Sequence, residues 1–252
     1  MTRYFDPRGG LRIGVLVPFT NVNLESDLNL MRPAGVSFHV TRMGGYDKEE
    51  IPDAAQMSGL GAADLEEPLS LLAGAKPDLI MYGCTSATLT HGTEFDRSLA
   101  NRIHALSGAK TVTAAGSLVY ALNALGKRRT AFASPYTQDI NQAAINFLTN
   151  SGIEVVSSAE VETELGNYGQ AELTPDDVFE LGQRAVHNGA ETLLLSCTEM
   201  RSVETILRLE NSLKLPVITS NQAMLYQALN QLALPHSEIP FGRLFAEGRA
   251  DG

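Results

Sequence analysis

Cysteine, tryptophan and positive charge are what this chain has little of. Its 252 residues include two cysteines and no tryptophan, and 19 lysines and arginines face 29 aspartates and glutamates. Each shortage excludes something. With no Cys-x-x-Cys and no paired spacing among His39, His91, His104, His187 and His236, there are too few ligands for a metal site. The formal charge of −10 argues against nucleic acid or an anionic membrane as partner, since both are drawn to basic surfaces. No apolar run reaches the ~18 residues that would span a bilayer, and the start lacks the charged, apolar and cleavage regions of a secretion signal. The expected location is therefore the cytoplasm, where two thiols stay free rather than bridged. Phosphate-binding loops and nucleophile elbows are absent too. Gly59-Leu60-Gly61-Ala62-Ala63-Asp64 has two glycines of a dinucleotide fingerprint, but Asp64 stands in place of the third and no strand precedes it. No Rossmann cofactor site is expected.

What remains is an ordinary globular composition, 44% hydrophobic and 19% charged, long enough for one large domain or two lobes. Apolar runs at Leu11–Val17, Val36–Val40, Leu79–Tyr82, Thr111–Thr113 and Leu193–Leu195 read as buried strands, and the segment from Arg129 to Thr137 repeats the first of them with its tip. Helical patterns separate them: one from Asn21 to about Met31, one from about Leu60 to Ala73, one through Phe95, Leu99 and Ile103, and one from Gly116 to Gly126. Residues 44–59 read as a long mobile connection, and Met1–Gly10 as a loose lead-in. Strands alternating with helices predict parallel sheets with right-handed crossovers.

The chain also repeats itself. Arg12, Pro18, Phe19 and Thr20 match Arg129, Pro135, Tyr136 and Thr137 at identical offsets, and Gly83-Cys84-Thr85 is answered by Ser196-Cys197-Thr198. The fold expected is α/β with two pseudo-symmetric lobes, each a parallel sheet flanked by helices: 1–117 (with 215–252 returning to it) and 118–214. Ligands of such sheets bind beyond the carboxyl ends of the strands. All four repeated tips, near Asn21, Cys84, Tyr136 and Cys197, lie there, so the active site is expected in the cleft between the lobes. Both cysteines precede a segment read as a helix start, which would draw a thiol's pKa toward neutrality, and Thr85, Ser86 and Thr198 add hydroxyl donors suited to a carboxylate. Burial as inert core is the competing reading of any cysteine. His91 is a candidate base for Cys84 but is expected to point away along its helix. Glu199 reads as a helix cap or an orienter of Cys197, and Tyr82, Tyr136 and Tyr168 as cleft closers or core.

The segments VPFTN (17–21), FHVTRM (38–43), YGCTS (82–86), SPYT (134–137), SCT (196–198), VITSNQA (217–223) and FGRLF (241–245) carry a resemblance over nearly the whole chain. The chain resembles the Asp/Glu racemase superfamily, in the branch of maleate cis-trans isomerases, arylmalonate decarboxylases and ectoine-utilisation racemase-like proteins. That resemblance implies cofactor-independent chemistry in a homo-oligomer, with Cys84 as nucleophile and Cys197 as partner acid or base. It also implies that Asn21, Tyr136 and Asn167 hold the carboxylates of a small anionic substrate, with Thr85, Ser86 and Thr198 beside them. Three activities follow: cis-trans isomerisation of a dicarboxylate, racemisation of an acidic amino acid, or decarboxylation of an arylmalonate. The decarboxylases lack a cysteine where this chain has Cys84. A small-molecule binding protein is the non-enzymatic alternative.

Overall fold

The computed structural model describes residues 10–44, 51–187 and 189–249. The first half runs β1 (Leu11–Pro18), α1 (Asn23–Leu30), β2 (Val36–Met43), α2 (Ala54–Ala62), α3 (Glu66–Ala73), β3 (Leu79–Tyr82), α4 (Thr85–Leu89), α5 (Thr93–Ser107), β4 (Lys110–Thr113) and α6 (Ala114–Ala124). The second runs β5 (Arg129–Ser134), α7 (Gln138–Asn150), β6 (Glu154–Glu160), α8 (Gly169–Glu172), α9 (Pro175–Ala185), β7 (Thr192–Leu195), α10 (Ile206–Leu213), β8 (Val217–Thr219), α11 (Ser220–Gln231) and α12 (Arg243–Glu247).

Two wholly parallel four-stranded sheets result, in orders β2-β1-β3-β4 and β6-β5-β7-β8. The identical order is the duplication in three dimensions. β3 and β7, central and buried along their whole length, are the continuous apolar runs of the sequence. The edge strands β2 and β6 are half-buried and more polar. Helix starts follow local chemistry: Thr113 caps α6 by accepting from the Gly116 N–H, and Thr174 with Asp177 and Thr219 with Gln222 form capping boxes for α9 and α11.

Three expectations are corrected. The segment 44–59 is not all connection, because Asp53 accepts the Gln56 N–H at 2.8 Å and starts α2 at Ala54; Gly45–Glu50 lie outside the described residues. The single helix 60–73 is two, since Ala63 turns extended and Asp64 accepts the Glu66 N–H to open a new one. Gly61 serves packing: a Cβ there would lie 2.5 Å from the Ala87 carbonyl, so glycine lets α2 approach α4. Within 215–252, β8 joins the second sheet rather than returning to the first, while α11 packs against α6, α1, β3 and β4.

Candidate active site

In both sheets the strand order reverses beside the central pair, β1 with β3 and β5 with β7, which is where open α/β sheets bind ligands. The chain after β1 turns tightly, with the Asn21 N–H donating to the Pro18 carbonyl at 3.0 Å. The Asn21 side chain accepts the Leu24 N–H at 3.0 Å, a capping bond for α1, and donates to the Thr198 hydroxyl at 3.0 Å. Thr198 in turn donates to the Gly83 carbonyl at 3.1 Å. Three of the four tips are thereby tied across the lobes. Gly83 is obligatory there, since a Cβ would lie 2.3 Å from Leu24 and 3.0 Å from the Leu16 carbonyl.

Cys84 is the residue before α4, in extended conformation, with its Sγ 3.7 Å from the Ser86 hydroxyl and the Ser86 and Ala87 amides directed at it. Burial raises its pKa, and these donors oppose the rise. Thr85 donates to Ser220 at 3.0 Å. Burial first, and then the Cys197 and Cys84 sulfurs, push the Tyr136 phenol well up, so it is a protonated donor between the two thiols.

Cys197 differs from its duplicate. The expected helix after it does not form: Asn221 Nδ2 donates to the Thr198 carbonyl at 3.0 Å and Asn23 Nδ2 to the Glu199 carbonyl at 2.6 Å, so the acceptors a helix would need are already taken. Its thiol donates to Gln170 Oε1 at 3.3 Å and accepts the Glu199 N–H at 3.3 Å. Burial, with the Glu199 carboxylate adding to it, pushes the thiol up to about 12. The expectation of helix-lowered thiols thus fails at both tips, because exclusion of water outweighs the local amides.

All eight residues singled out from the sequence, Asn21, Cys84, Thr85, Ser86, Tyr136, Asn167, Cys197 and Thr198, line one cavity. It offers about 40 Å³ to the centre of a water molecule. Sequence reasoning missed Gln170 and misread Glu199. Gln170 sits in the short α8 three residues after Asn167, a position with no distinguishing pattern. Glu199 caps no helix; its carboxyl faces the Val22 N–H and lines the cavity. His91 points away, bonded to Ser58 and stacked on Phe95 at 3.9 Å. Tyr82 is buried in β3, and Tyr168 is half-exposed and does not line the cavity. Among the described residues no group of His, Cys, Asp and Glu is placed to hold a metal, and no helix is long and apolar enough to cross a membrane.

The family model for arylmalonate decarboxylase matches residues 60–245. A maleate isomerase of Geobacillus stearothermophilus is 26% identical over 239 residues, covering 88% of this chain and 92% of its own. Maleate isomerase Iso of Pseudomonas putida S16, solved with maleate, superposes with a TM-score of 0.86 at 23% identity, covering 96% of this chain and 99% of that one. A Nocardia farcinica maleate cis-trans isomerase carrying a covalently bound succinylcysteine intermediate superposes with a TM-score of 0.85 at 24% identity, covering 96% and 99%.

Proposed function

The chain belongs to the arylmalonate decarboxylase family, and from that membership we propose that it is a maleate cis-trans isomerase working through Cys84 and Cys197. The observation that carries the proposal is the convergence of both cysteines, from opposite lobes, on one small cavity furnished with neutral donors.

The chemistry follows from what each sulfur touches. Cys84 rests as a thiol, its pKa raised by burial, and reacts through the thiolate formed when that proton is lost to solvent; the Ser86 and Ala87 donors favour this nucleophilic form. Adding to one alkene carbon of maleate, it forms a carbon-sulfur bond, and the π electrons move toward the carboxylate on the neighbouring carbon as an enediolate. The former double bond is now single and rotates. Cys197, which holds its proton against Gln170, lends that proton to the neighbouring carbon and retrieves it. Expulsion of the Cys84 thiolate then reforms the double bond in the trans geometry, with no net redox change. Asn21, Asn167, Tyr136 and the hydroxyls of Thr85, Ser86 and Thr198 supply donors for the two carboxylates and for the charge that develops on addition. A catalytic cysteine carrying a succinyl group, as in the Nocardia farcinica enzyme, is the intermediate this route requires.

Cys84 supports the dicarboxylate over an arylmalonate, because arylmalonate decarboxylases lack a cysteine at the corresponding strand tip. Two thiols over one cavity also suit a two-base racemase. The deciding experiment incubates the protein with maleate, without added cofactor, and follows fumarate by NMR. Turnover is expected, with Cys84→Ser lowering it by on the order of a thousandfold or more and a succinyl group trapped on Cys84 in acid-quenched wild type. Undiminished turnover by Cys84→Ser overturns the proposal. Solvent deuterium entering the alpha position of aspartate or glutamate, with maleate untouched, would establish the racemase.

A further inference from the structure

A cavity that takes a dianion would be expected to contain a cation. Among the described residues its lining includes no lysine or arginine, and its single carboxyl is that of Glu199. Glu199 is only 5% exposed. Both of its oxygens lie 3.1 Å from one donor, the Val22 N–H. Among the described residues no lysine or arginine forms an ion pair with it. The guanidinium that acts on it, that of Arg42, is committed elsewhere, to the Asn21 carbonyl and to Glu25, both at 2.6 Å. An ionised carboxylate presents about four acceptor sites, and the protein offers them a single amide donor. The acid form needs less: one acceptor for Val22, and one O–H to give away.

Resting on the isomerase reading, we infer that Glu199 is a specificity-determining residue of the dicarboxylate site: as a neutral acid it accepts the Val22 N–H and donates its O–H to a substrate carboxylate, whereas ionised it repels the dianion. The surroundings agree. Asp27 approaches from α1 and disfavours the charge, Arg42 on β2 favours it, and the Cys84 and Cys197 thiols and the Tyr136 phenol face it across the cavity in their neutral forms. Asp27 is itself acted on by Glu204 and Arg201 from the loop beyond Glu199. Burial dominates and pushes Glu199 up to about 8. Since the dianion prefers the protonated site, binding at alkaline pH takes up a proton.

The test measures KM for maleate from neutral to alkaline pH in wild type, Glu199→Gln and Asp27→Asn. A glutamine keeps an acceptor for Val22 and a donor for substrate but does not titrate. Wild-type KM is expected to rise about fivefold between pH 8 and pH 9, and that of Glu199→Gln by less than about twofold. Removing the charge of Asp27 should move the wild-type rise to lower pH. A Glu199→Gln profile as steep as wild type overturns the inference.

A second measurement needs neither turnover nor a variant. Succinate, a dicarboxylate with no double bond to isomerise, is titrated calorimetrically into wild type at about pH 8.5 in two buffers of different ionisation enthalpy. Uptake of a large fraction of a proton per site supports the inference, and binding without uptake overturns it. Proton-coupled succinate binding by a protein that leaves maleate unchanged would remove the isomerase reading and keep the role of Glu199.

Discussion

At the scale of single residues, Thr198 holds the site together. Its hydroxyl accepts from Asn21 and donates to the Gly83 carbonyl, so it fixes a cavity-lining amide and the residue before Cys84 at once. Thr198→Val keeps the shape and deletes both bonds, leaving a buried amide donor and a buried carbonyl unsatisfied. Thermal unfolding should show a loss of about 1–3 kcal/mol, and KM should rise because Asn21 is no longer held. Thr198→Ser restores both bonds and should recover both quantities; a serine variant as damaged as valine would mean that the methyl group, not the hydroxyl, matters. The candidate residues were legible at this scale because duplication placed each cysteine at a strand tip with a hydroxyl neighbour. Glu199 was not, because a glutamate shortly after a strand is an ordinary cap signal. Its meaning depends on Val22, 177 positions earlier, and no local pattern encodes that.

At the scale of elements, the two tips read alike in sequence and fold differently. Gly83-Cys84-Thr85 runs into α4, whereas Ser196-Cys197-Thr198 runs into an irregular loop whose carbonyls are bound by Asn23 and Asn221. Most strands were readable as apolar runs bounded by turn residues, but β6, polar and half-buried, and β8, only three residues long, were not. The break between α2 and α3 was not, since Gly59 and Gly61 weaken a helical pattern whether they lie in a loop or permit contact with α4. The packing of α1 on α11 has an energetic consequence. Asp27 of α1 is buried there against Asn221, which donates to it at 2.7 Å, and burial pushes its carboxyl up to about 7 from 3.8. The native state therefore keeps a proton that the unfolded chain releases. Stability from this group is full below about pH 4, falls as pH rises toward 7 and is level above that, a change on the order of a few kcal/mol. Glu199, pushed up to about 8, extends the decline. Asp27→Asn should leave the melting temperature at pH 4 nearly unchanged and raise it at pH 8. A variant melting no higher than wild type at pH 8 would show that Asp27 is not held protonated.

For the whole molecule, the question is whether two sheets of identical order behave as two bodies. Two separate sheets would allow independent melting, but their buried apolar residues form one continuous cluster. The chain is also laced across the junction: β8 completes the second sheet and leads at once into α11, which packs on α6 and on β4 of the first. The cavity adds cross-lobe hydrogen bonds from Asn21 to Thr198, Val22 to Glu199 and Thr198 to Gly83. Losing either lobe would expose the α6–α11 seam and strip the other lobe of its neighbours, so unfolding should be a single cooperative transition. The seven tyrosines, with no tryptophan to mask them, allow a check by near-ultraviolet circular dichroism alongside the far-ultraviolet backbone signal during guanidinium denaturation. Both signals should fall together. Because the cavity is lined by residues of both lobes, a dicarboxylate bound there as proposed, such as succinate at about 100 times its Kd, should move that whole transition by about 2.7 kcal/mol. Two separated transitions, with only one of them moved by succinate, would show instead that the lobes fold apart and that the ligand belongs to one.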